Sequence, residues 1–371
     1  MRVLLLCKRQ YTSRDLLDDR YGRLYEIPEG LARLGHQVDG ITISYRQRPD
    51  HQHVSPAGVR WQSINALPWG LPAVTRAVLE RRRNNRPDVV WASSDVLQCI
   101  LGYRIARFFN VPLVLDLYDN YEHFGLSRVP GLRSAFRRAC RRADGLSVVS
   151  QTLAKHVRET IAPRGQLSVI GNGVNTGHFH PMDRGRCREQ LGLPVNAKLI
   201  GCAGAIDASR GIETMFQAFL KLAETMPELH LVFAGPRDKT PEKYTHPRIV
   251  DLGILPWEQV PVLINSLDAS IVCNLDSTFG RYCFPMKLYE SLACGVPVFA
   301  AAVGDVPSLL ARNDGITFPP ESSDGLIHVI LQWMLREEVS QSFCPPDDWD
   351  SRASATSRLL KDVVAGSSQN P

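Results

Sequence analysis

Residues 284–298, FPMKLYESLACGVPV, carry the signals of a helix followed directly by a strand. Pro285 has a fixed backbone φ that suits the first turn of a helix. Gly295 can take the left-handed conformation that closes a helix, and an apolar strand over residues 296–300 follows. Because parallel sheets are built from such helix–strand units, this stretch indicates an α/β fold.

The same alternation of short apolar runs and segments of helical period extends along the whole chain. The runs are continuously apolar, as expected when both faces of a parallel sheet are covered. A helix over residues 24–34, closed by Gly35, completes an opening βαβ unit. The predicted strands cover residues 3–6, 38–43, 89–92, 113–117, 146–149, 167–170, 198–203, 229–234, 269–272 and 296–300.

The chain has 371 residues, enough for two domains with separate cores. A turn-rich segment at 171–173 and a polar stretch at 181–196 mark the boundary between them. We therefore predict a first domain over residues 1–180 and a second over 181–345. Residues 346–365 are predicted to form a closing helix, either packed back on the first domain or lying on the surface, and residues 366–371 a disordered tail.

Composition excludes several classes of protein. The 43 Lys and Arg against 38 Asp and Glu give a formal charge of +5, which predicts no nucleic-acid partner. Nine cysteines without a C-x-x-C pair predict neither a zinc site nor a disulfide framework, and fit a reducing cytosol. The first apolar run is too short for a signal peptide, and the most apolar stretch, residues 292–303, is shorter than the roughly 20 residues of a membrane span.

Two positions carry the residue types that bind phosphate. The N-terminal amides of the helix after Phe284 form the positive end of its dipole, and Lys287 adds a charge in the first turn. Glu290, one turn later, can accept two hydrogen bonds from a ribose diol, although a Lys-x-x-Glu pair also fits a solvated salt bridge. In the loop at 204–212, Arg210 precedes a helix and can clamp a diphosphate.

Several ordered motifs resemble family 4 of the retaining, nucleotide-sugar-dependent glycosyltransferases. The resemblance covers nearly the whole chain and implies the GT-B fold, in which two Rossmann-like domains face each other across a cleft. It also implies that the first domain binds the acceptor and the second the nucleotide sugar. The matching motifs are RADGLSVVS (142–150), VIGNGVN (169–175), FHP (179–181), RGI (210–212), VFAGP (232–236) and the block at 287–298.

By position, the resemblance implies that Arg210 and Lys287 contact the donor diphosphate and stabilise the charge of the leaving group. Glu290 would bind the ribose, while main-chain groups after Leu252 would line the base. Asp119 completes the set of predicted catalytic residues. The predicted donor-binding residues are Glu290, Gly22, Gly204, Pro285, Met286, Gly253, Ile254 and Leu255.

The sequence departs from the family pattern at several places, among them residues 304–308, GDVPS, where a Gly-Gly-x-Pro-Glu pattern is usual. Ala205 stands where the family usually has an Arg on the phosphates, and Tyr282 stands where a first Glu is frequent. Tyr118 takes the place of a common His. The acceptor-side candidates are Asp119, ranked first, with Glu122, His123 and Tyr118. A purely structural role, such as capping a turn or lying on the surface, fits these side chains equally well.

The resemblance implies retaining transfer from a UDP- or GDP-sugar to a glycan or lipid-linked acceptor, in cell-surface polysaccharide or glycolipid assembly. The acceptor hydroxyl would attack from the front face, with no metal ion and no cofactor besides the donor. Asp348-Trp349-Asp350 has the spacing of a metal-binding Asp-x-Asp motif, but it lies in the closing segment and is interpreted as a solvated acidic turn. The alternative is a non-catalytic GT-B scaffold that binds a nucleotide or a partner glycosyltransferase, motivated by Ala205 and Tyr282.

An Arg-rich helix over residues 132–142 is basic and amphipathic. Leu132, Phe136 and Ala139 share one face, while four arginines, from Arg137 to Arg142, can reach anionic headgroups. Together with the resemblance, this pattern predicts a cytoplasmic protein attached peripherally to the inner face of the plasma membrane. The alternative is a solvated helix whose apolar stripe packs on its own sheet.

Overall fold

The structure, a computed structural model, describes residues 1–11, 14–46, 48, 51–68, 70–123, 125–311, 316–335 and 346–368. The chain forms two compact units. Unit 1 comprises Met1–Gly173, Tyr282–Phe284 and Asp347–Pro371, and unit 2 comprises Val174–Arg281 and Pro285–Pro346. The first division precedes the predicted boundary at residue 180 because His178 and Phe179 pack on Trp257, which places them in unit 2.

Unit 1 is built around an eight-stranded sheet in the order β10-β9-β8-β7-β1-β4-β6-β5. Every pairing is parallel except that of the edge strand β5. Its elements are β1 (Arg2–Lys8), β2 (Gln10–Tyr11), β3 (Arg14–Asp15), α1 (Arg23–Arg33), β4 (Gln37–Ser44), β5 (His51–Val54), β6 (Arg60–Asn65), α2 (Gly70–Asn84), β7 (Val89–Ser93), α3 (Val96–Phe109), β8 (Leu113–Leu117), α4 (Leu132–Arg142), β9 (Gly145–Val148), α5 (Gln151–Thr160) and β10 (Gln166–Val169).

Unit 2 contains a six-stranded, fully parallel sheet in the order β13-β12-β11-β14-β15-β16. Its helices cover the sheet, and their apolar faces form a separate core. Its elements are α6 (Arg184–Gln190), β11 (Lys198–Ala203), α7 (Glu213–Ala223), β12 (Leu229–Ala234), β13 (Ile249–Asp251), α8 (Val260–Ser266), β14 (Ala269–Val272), α9 (Thr278–Tyr282), α10 (Met286–Ala293), β15 (Val298–Ala301), α11 (Val306–Leu310), β16 (Ile316–Phe318) and α12 (Ser323–Met334).

The last helix, α13 (Trp349–Ser368), packs against α1 in unit 1. Gly30 of α1 lies so close to Ala353 that a side chain at Gly30 would overlap it. His36 and Ser357 form a buried hydrogen bond of 2.7 Å between Nε2 and Oγ. The helix continues to Ser368, past the predicted end at residue 365, and residues 369–371 lie outside the described residues.

The α/β class predicted from the sequence is confirmed, with one parallel Rossmann-like sheet in each unit. All ten predicted strands are present within one or two residues of their expected ends. The continuous apolar runs did not predict β2, β3, β5, β6, β13 and β16, most of which are polar or only half-buried. No helix in the described part of the chain is both long and apolar enough to span a bilayer.

Candidate functional site

The loop after β11 in unit 2 lies against the side chain of Lys287. The Lys287 Nζ atom donates a hydrogen bond of 2.9 Å to the Ala205 carbonyl oxygen. Gly204 has a φ of +112°, and a Cβ there would lie 2.5 Å from the Lys287 Cε atom. The backbone conformation favours glycine at 204, and a side chain there would have to displace the end of the Lys287 side chain.

Lys287 lies in the first turn of α10, the helix that the sequence predicted after Phe284. The helix begins at Met286, and Pro285 is its N-cap, one position earlier than the first-turn location predicted for the proline. Gly295 closes the helix with a φ of +69°, and the Val296 amide bonds the Ser291 carbonyl oxygen at 3.1 Å. Among the described residues no carboxylate forms an ion pair with Lys287, so its charge is available to an anion at the end of β11.

Glu290 follows Lys287 by one helical turn. Its side chain is buried, with a relative exposure of 9% for the residue. The interpretation of Lys287 and Glu290 as a solvated surface salt bridge is therefore wrong, because the carboxylate does not lie on a solvated face. The two residues remain neighbours on α10, as the spacing requires.

Arg210 ends a 3₁₀ turn, Ala208–Arg210, that follows the Gly204 loop. Its guanidinium group lies over the ring of Phe279 in α9, with 4.6 Å between the Cζ atom and the ring centroid. Gly211, with a φ of +68°, then turns the chain into α7. The sequence pattern did not predict a role for Phe279, whose only signal is its position in the segment between β14 and α10.

The predicted base segment after Leu252 lies beside the Gly204 loop, and Gly235 lies between the two. The Gly204 amide bonds the Ala234 carbonyl oxygen at 2.8 Å, and the Gly235 amide bonds the Gly253 carbonyl oxygen at 2.8 Å. Gly253 has a φ of +73°, and its amide bonds Asp251 Oδ1 at 2.8 Å. Ile254 is 76% exposed and Leu255 is half-buried. The fold thus brings these predicted donor residues of unit 2 to one edge of its sheet, at the carboxyl ends of the strands.

In unit 1, Gly22 caps α1 with a φ of +74°, and its carbonyl oxygen accepts bonds of 2.9 Å from the amides of Tyr25 and Glu26. The next residue, Arg23, forms a buried ion pair with Asp116 at the end of β8, with 2.6 Å between Nη2 and Oδ1. Arg23 Nη1 also bonds the carbonyl oxygens of Ile170 and Gly171 at 2.8 Å. The sequence patterns did not predict this pair, although the Asp116 carboxylate inside the apolar run of β8 was a signal for it.

The acceptor-side candidates fall into different environments. Asp119 Oδ1 accepts a 2.7 Å bond from the Asn120 amide, a turn-capping contact. The Tyr118 hydroxyl donates to the Ser94 carbonyl oxygen at 3.3 Å. Burial, with the charges of Asp119 and Asp95, raises the pKa of Tyr118 well above its usual value. His123 is exposed.

Glu122 is held by two arginines of α4. Arg137 Nη2 bonds its Oε2 at 3.0 Å, and Arg133 Nε bonds its Oε1 at 3.2 Å. Burial acts to raise the pKa of Glu122, but the hydrogen bonds from Arg137 and Arg133 outweigh it and hold that pKa below its ordinary value. Both carboxylate oxygens are thus engaged in fastening α4 to the preceding loop.

Helix α4 buries its apolar stripe. Phe136 and Ala139 are at most 1% exposed and belong to the core of unit 1. The alternative in which the stripe packs on its own sheet is therefore confirmed. On the outer face, Arg138 is exposed and Arg142 bonds the Tyr103 hydroxyl at 3.2 Å.

The Asp-x-Asp sequence at 348–350 has local structural roles. Asp348 Oδ1 accepts a 2.8 Å bond from the Ser351 amide in the first turn of α13. Asp350 pairs with Arg33 of α1 at 2.6 Å. Across the residues described, no three His, Cys, Asp or Glu side chains cluster closely enough to hold a metal ion.

Comparison with known proteins gives the same division of the chain. Residues 23–173 match the model of the "Glycosyl transferase 4-like domain", and residues 183–345 match "Glycosyl transferases group 1". Similar curated proteins include a D-inositol 3-phosphate glycosyltransferase of Acidothermus cellulolyticus, 26% identical over 92% of this chain and 84% of that protein. Another is the putative teichuronic acid biosynthesis glycosyltransferase TuaC of Bacillus subtilis, 23% identical over 89% of this chain and 80% of that protein.

Solved structures support the fold. A sucrose-phosphate synthase from Thermosynechococcus elongatus superposes with a TM-score of 0.70 at 18% identity, covering 99% of this chain and 97% of that one. Anabaena HepE, solved in complex with UDP, also gives a TM-score of 0.70 at 18% identity, covering 100% of this chain and 98% of that one. Both likenesses concern the arrangement of the backbone, which is the GT-B fold that the motifs predicted.

Proposed function

This chain belongs to the group 1 glycosyltransferases of family 4, and we propose that it is a retaining, metal-independent transferase that uses a UDP- or GDP-sugar as donor. The proposed acceptor is a glycan or a lipid-linked sugar, in the assembly of a cell-surface polysaccharide or glycolipid. The relative named for teichuronic acid biosynthesis supports that setting, and the HepE complex with UDP supports a uridine donor.

The observation that carries the proposal is the Lys287 ammonium over the Gly204–Ala205 loop, with no carboxylate paired to it among the described residues. Ala205 is the position at which relatives usually supply an arginine to the phosphates. In this chain the ammonium lies 2.9 Å from the main chain of that residue. Lys287 therefore keeps a positive charge beside the position where Ala205 lacks one, which favours a donor-binding enzyme over the non-catalytic scaffold.

The proposed chemistry is electrostatic. Negative charge grows on the diphosphate as the bond from its oxygen to the sugar anomeric carbon breaks. Lys287, Arg210 and the first amides of α10 are oriented before the reaction, so they stabilise that charge without reorganising. The acceptor hydroxyl attacks from the face that the diphosphate leaves, and its proton passes to a phosphate oxygen of the leaving group. Glu290 holds the ribose diol and fixes the position of the donor.

Peripheral attachment to an anionic membrane remains part of the proposal, in a narrower form than the sequence suggested. Because Phe136 and Ala139 are buried in the core, α4 has no apolar face for the acyl chains. The charges of Arg133 and Arg137 are engaged by Glu122. The proposed contact is therefore electrostatic, through Arg138, Arg141 and Arg142, and it concerns lipid headgroups alone.

A thermal-shift screen against UDP- and GDP-sugars and the free nucleotides tests the proposal. We expect one nucleotide series to raise the melting temperature and the matching sugar nucleotide to be slowly hydrolysed. Glu290→Ala should abolish both effects, while Glu189→Ala, an exposed glutamate of α6, should change neither. Stabilisation without hydrolysis or transfer would favour the scaffold, and no stabilisation by any nucleotide would refute the donor site.

A further inference from the structure

The chain order of the sheet in unit 1 reverses between β1 and β7. From β1 the chain proceeds to β4 on one side, and it returns to β7 on the other before continuing to β8 and beyond. In open parallel sheets, ligands bind outside the carboxyl ends of the strands at such a reversal. The residues that end the two strands here are Lys8 and Ser93.

A polar cluster occupies this position. The Lys8 ammonium forms an ion pair with Asp95, and the Lys8 amide donates a 2.9 Å bond to Ser94 Oγ. Asp95 Oδ1 accepts a 2.8 Å bond from the Leu97 amide, so the carboxylate has a fixed orientation. The side chain of Lys8 is 25% exposed and that of Asp95 is 7% exposed. The Lys8 ammonium is therefore the partly open member of the pair, and the buried Asp95 carboxylate holds it in place.

Ser94, between the two strand ends, has a φ of +103°, which a residue with a side chain rarely adopts. Two tyrosines hold it in this conformation. Its amide donates to the Tyr121 hydroxyl at 3.1 Å, and its carbonyl oxygen accepts from the Tyr118 hydroxyl at 3.3 Å. Backbone strain of this kind persists where surrounding contacts over-determine it, and it concentrates at ligand sites.

Tyr45, just beyond the end of β4, completes the cluster. Its ring is 46% exposed, and the Lys8 Nζ atom lies 5.5 Å from the ring centroid. The Tyr45 hydroxyl accepts a 3.0 Å bond from Gln98 Nε2. The other amide atom of Gln98, Oε1, is buried without a hydrogen-bond partner among the residues described. An exposed aromatic ring thus stands next to a charged donor–acceptor pair and a polar group with unused capacity.

We propose that Lys8, Tyr45 and Asp95 form a subsite for a pyranose or cyclitol ring of the acceptor. The apolar face of such a ring packs on Tyr45, and its hydroxyls accept hydrogen bonds from the Lys8 ammonium, which Asp95 orients from below. The bond between Tyr118 and Ser94 connects this subsite to the acceptor-side residues Tyr118 and Asp119. The inference rests on the proposed transferase function and assigns acceptor-binding residues within unit 1.

Saturation-transfer NMR on the full chain tests the subsite. The probes are methyl α-D-glucopyranoside, methyl α-D-mannopyranoside, N-acetylglucosamine and myo-inositol, measured at equal concentrations. We expect at least one ring to receive saturation from the wild-type protein. Lys8→Met and Tyr45→Ala should each reduce that signal at least fivefold. Asp95→Asn should reduce it as well, since asparagine keeps the helix cap and removes the charge.

Tyr103→Ala is the matched control, because Tyr103 is a partly exposed tyrosine of the same unit, bonded to Arg142. It should leave the signal unchanged. The assignment would be overturned if none of the four rings received saturation from the wild-type protein. It would also be overturned if the signal were unchanged in Lys8→Met and Tyr45→Ala. Near-ultraviolet circular dichroism of each variant establishes that its fold is intact.

The thermal shift by nucleotides separates this inference from the donor proposal. Lys8→Met and Tyr45→Ala should keep the wild-type nucleotide shift, whereas Glu290→Ala should lose that shift and keep the ring signal. Loss of the nucleotide shift in Lys8→Met would refute a separate acceptor subsite. A ring signal without any nucleotide shift in the wild type would refute the donor site and leave the subsite standing.

Discussion

The ammonium of Lys287 and the carbonyl oxygen of Ala205 lie 2.9 Å apart, although 82 residues separate them in the chain. The contact joins the first turn of α10 to the loop after β11, at the carboxyl edge of the second sheet. Since Gly204 has no side chain, the methylene groups of Lys287 pass directly over the backbone. A cation carried by α10 thereby reaches a position that a side chain at 205 could also reach.

Lys287→Met should lower kcat/KM for the donor by about 100-fold, the usual effect of losing one charged donor to a developing oxyanion. Ala205→Arg added to Lys287→Met should restore part of that loss, because the new guanidinium starts from the residue that the ammonium now contacts. Steady-state kinetics with the donor found by the thermal-shift screen measure both effects. A double variant no better than Lys287→Met would show that the two positions do not serve the same phosphate.

Arg210→Ala should reduce turnover more than donor affinity, because the charge that it stabilises grows in the transition state. Phe279→Leu should reproduce a weaker form of that defect, about two- to fivefold, since a ring–cation contact contributes about 0.5–1 kcal/mol. Phe284→Leu, another aromatic-to-leucine change in the same segment, serves as the control. Equal effects of Arg210→Ala on kcat and on nucleotide affinity would contradict a role specific to the transition state.

The buried pair of Arg23 and Asp116 makes unit 1 sensitive to the loss of either charge. Asp116→Asn should lower the free energy of unfolding by about 3–5 kcal/mol, because it leaves a buried guanidinium without its carboxylate. Arg23→Met with Asp116→Leu should cost less than the sum of the single changes. Differential scanning calorimetry measures both, and Arg33→Met, which breaks an exposed pair, should cost at most about 1 kcal/mol.

The stability of the protein should depend on pH through Glu26. Burial first, with the charges of Glu29 and Asp350 adding, raises the pKa of Glu26 from 4.5 to about 7. The folded state therefore binds a proton more tightly than the unfolded state, and the free energy of unfolding falls as pH rises from 4.5 through 7. Glu26→Gln should accordingly melt higher than wild type at pH 8 and equally at low pH, with a difference of up to about 3 kcal/mol. A difference in melting temperature between Glu26→Gln and wild type that stays constant at all pH values would refute this role of Glu26.

Membrane attachment, if electrostatic, should depend on three arginines of α4. Replacing Arg138, Arg141 and Arg142 with glutamine should lower partitioning onto phosphatidylglycerol vesicles by about 100-fold, at about 1 kcal/mol for each charge. Added salt should weaken the wild-type interaction in the same way. The control replaces the exposed residues Arg186, Lys198 and Lys239 of unit 2 with glutamine. If neither added salt nor the α4 substitutions changed the fraction of protein that cosediments with the vesicles, the proposed contact would be excluded.

The sequence predicted structural features correctly where the interactions that determine them are local. Apolar runs and helical periods between Gly and Pro predicted ten strands and the α/β class, because a buried parallel strand needs a continuous apolar segment. Gly295 predicted the end of α10 because that position needs a positive φ. The ordered motifs, which contain Arg210 and the segment from Lys287 to Val298, predicted the family, while the residues of the donor site stay a prediction.

Contacts between distant segments could not be predicted in the same way. The partner of Lys287, the stacking of Phe279 on Arg210, and the capture of Glu122 by Arg133 and Arg137 all depend on which side chains the packed helices bring together. The amphipathic pattern of α4 fits a membrane surface and a protein core equally well, and the packing against the sheet of unit 1 decided for the core.

Local patterns in the sequence specify the class of fold, the order of its elements, the family and the chemical groups available for a nucleotide sugar, because periodicity, turn residues and motifs are properties of short segments. The packing of distant segments brings Lys287 onto the Ala205 carbonyl oxygen, pairs Arg23 with Asp116, and gathers Lys8, Tyr45 and Asp95 at the strand reversal of unit 1. The packing of whole elements sets which partner each charge meets, and no short segment of sequence specifies that packing.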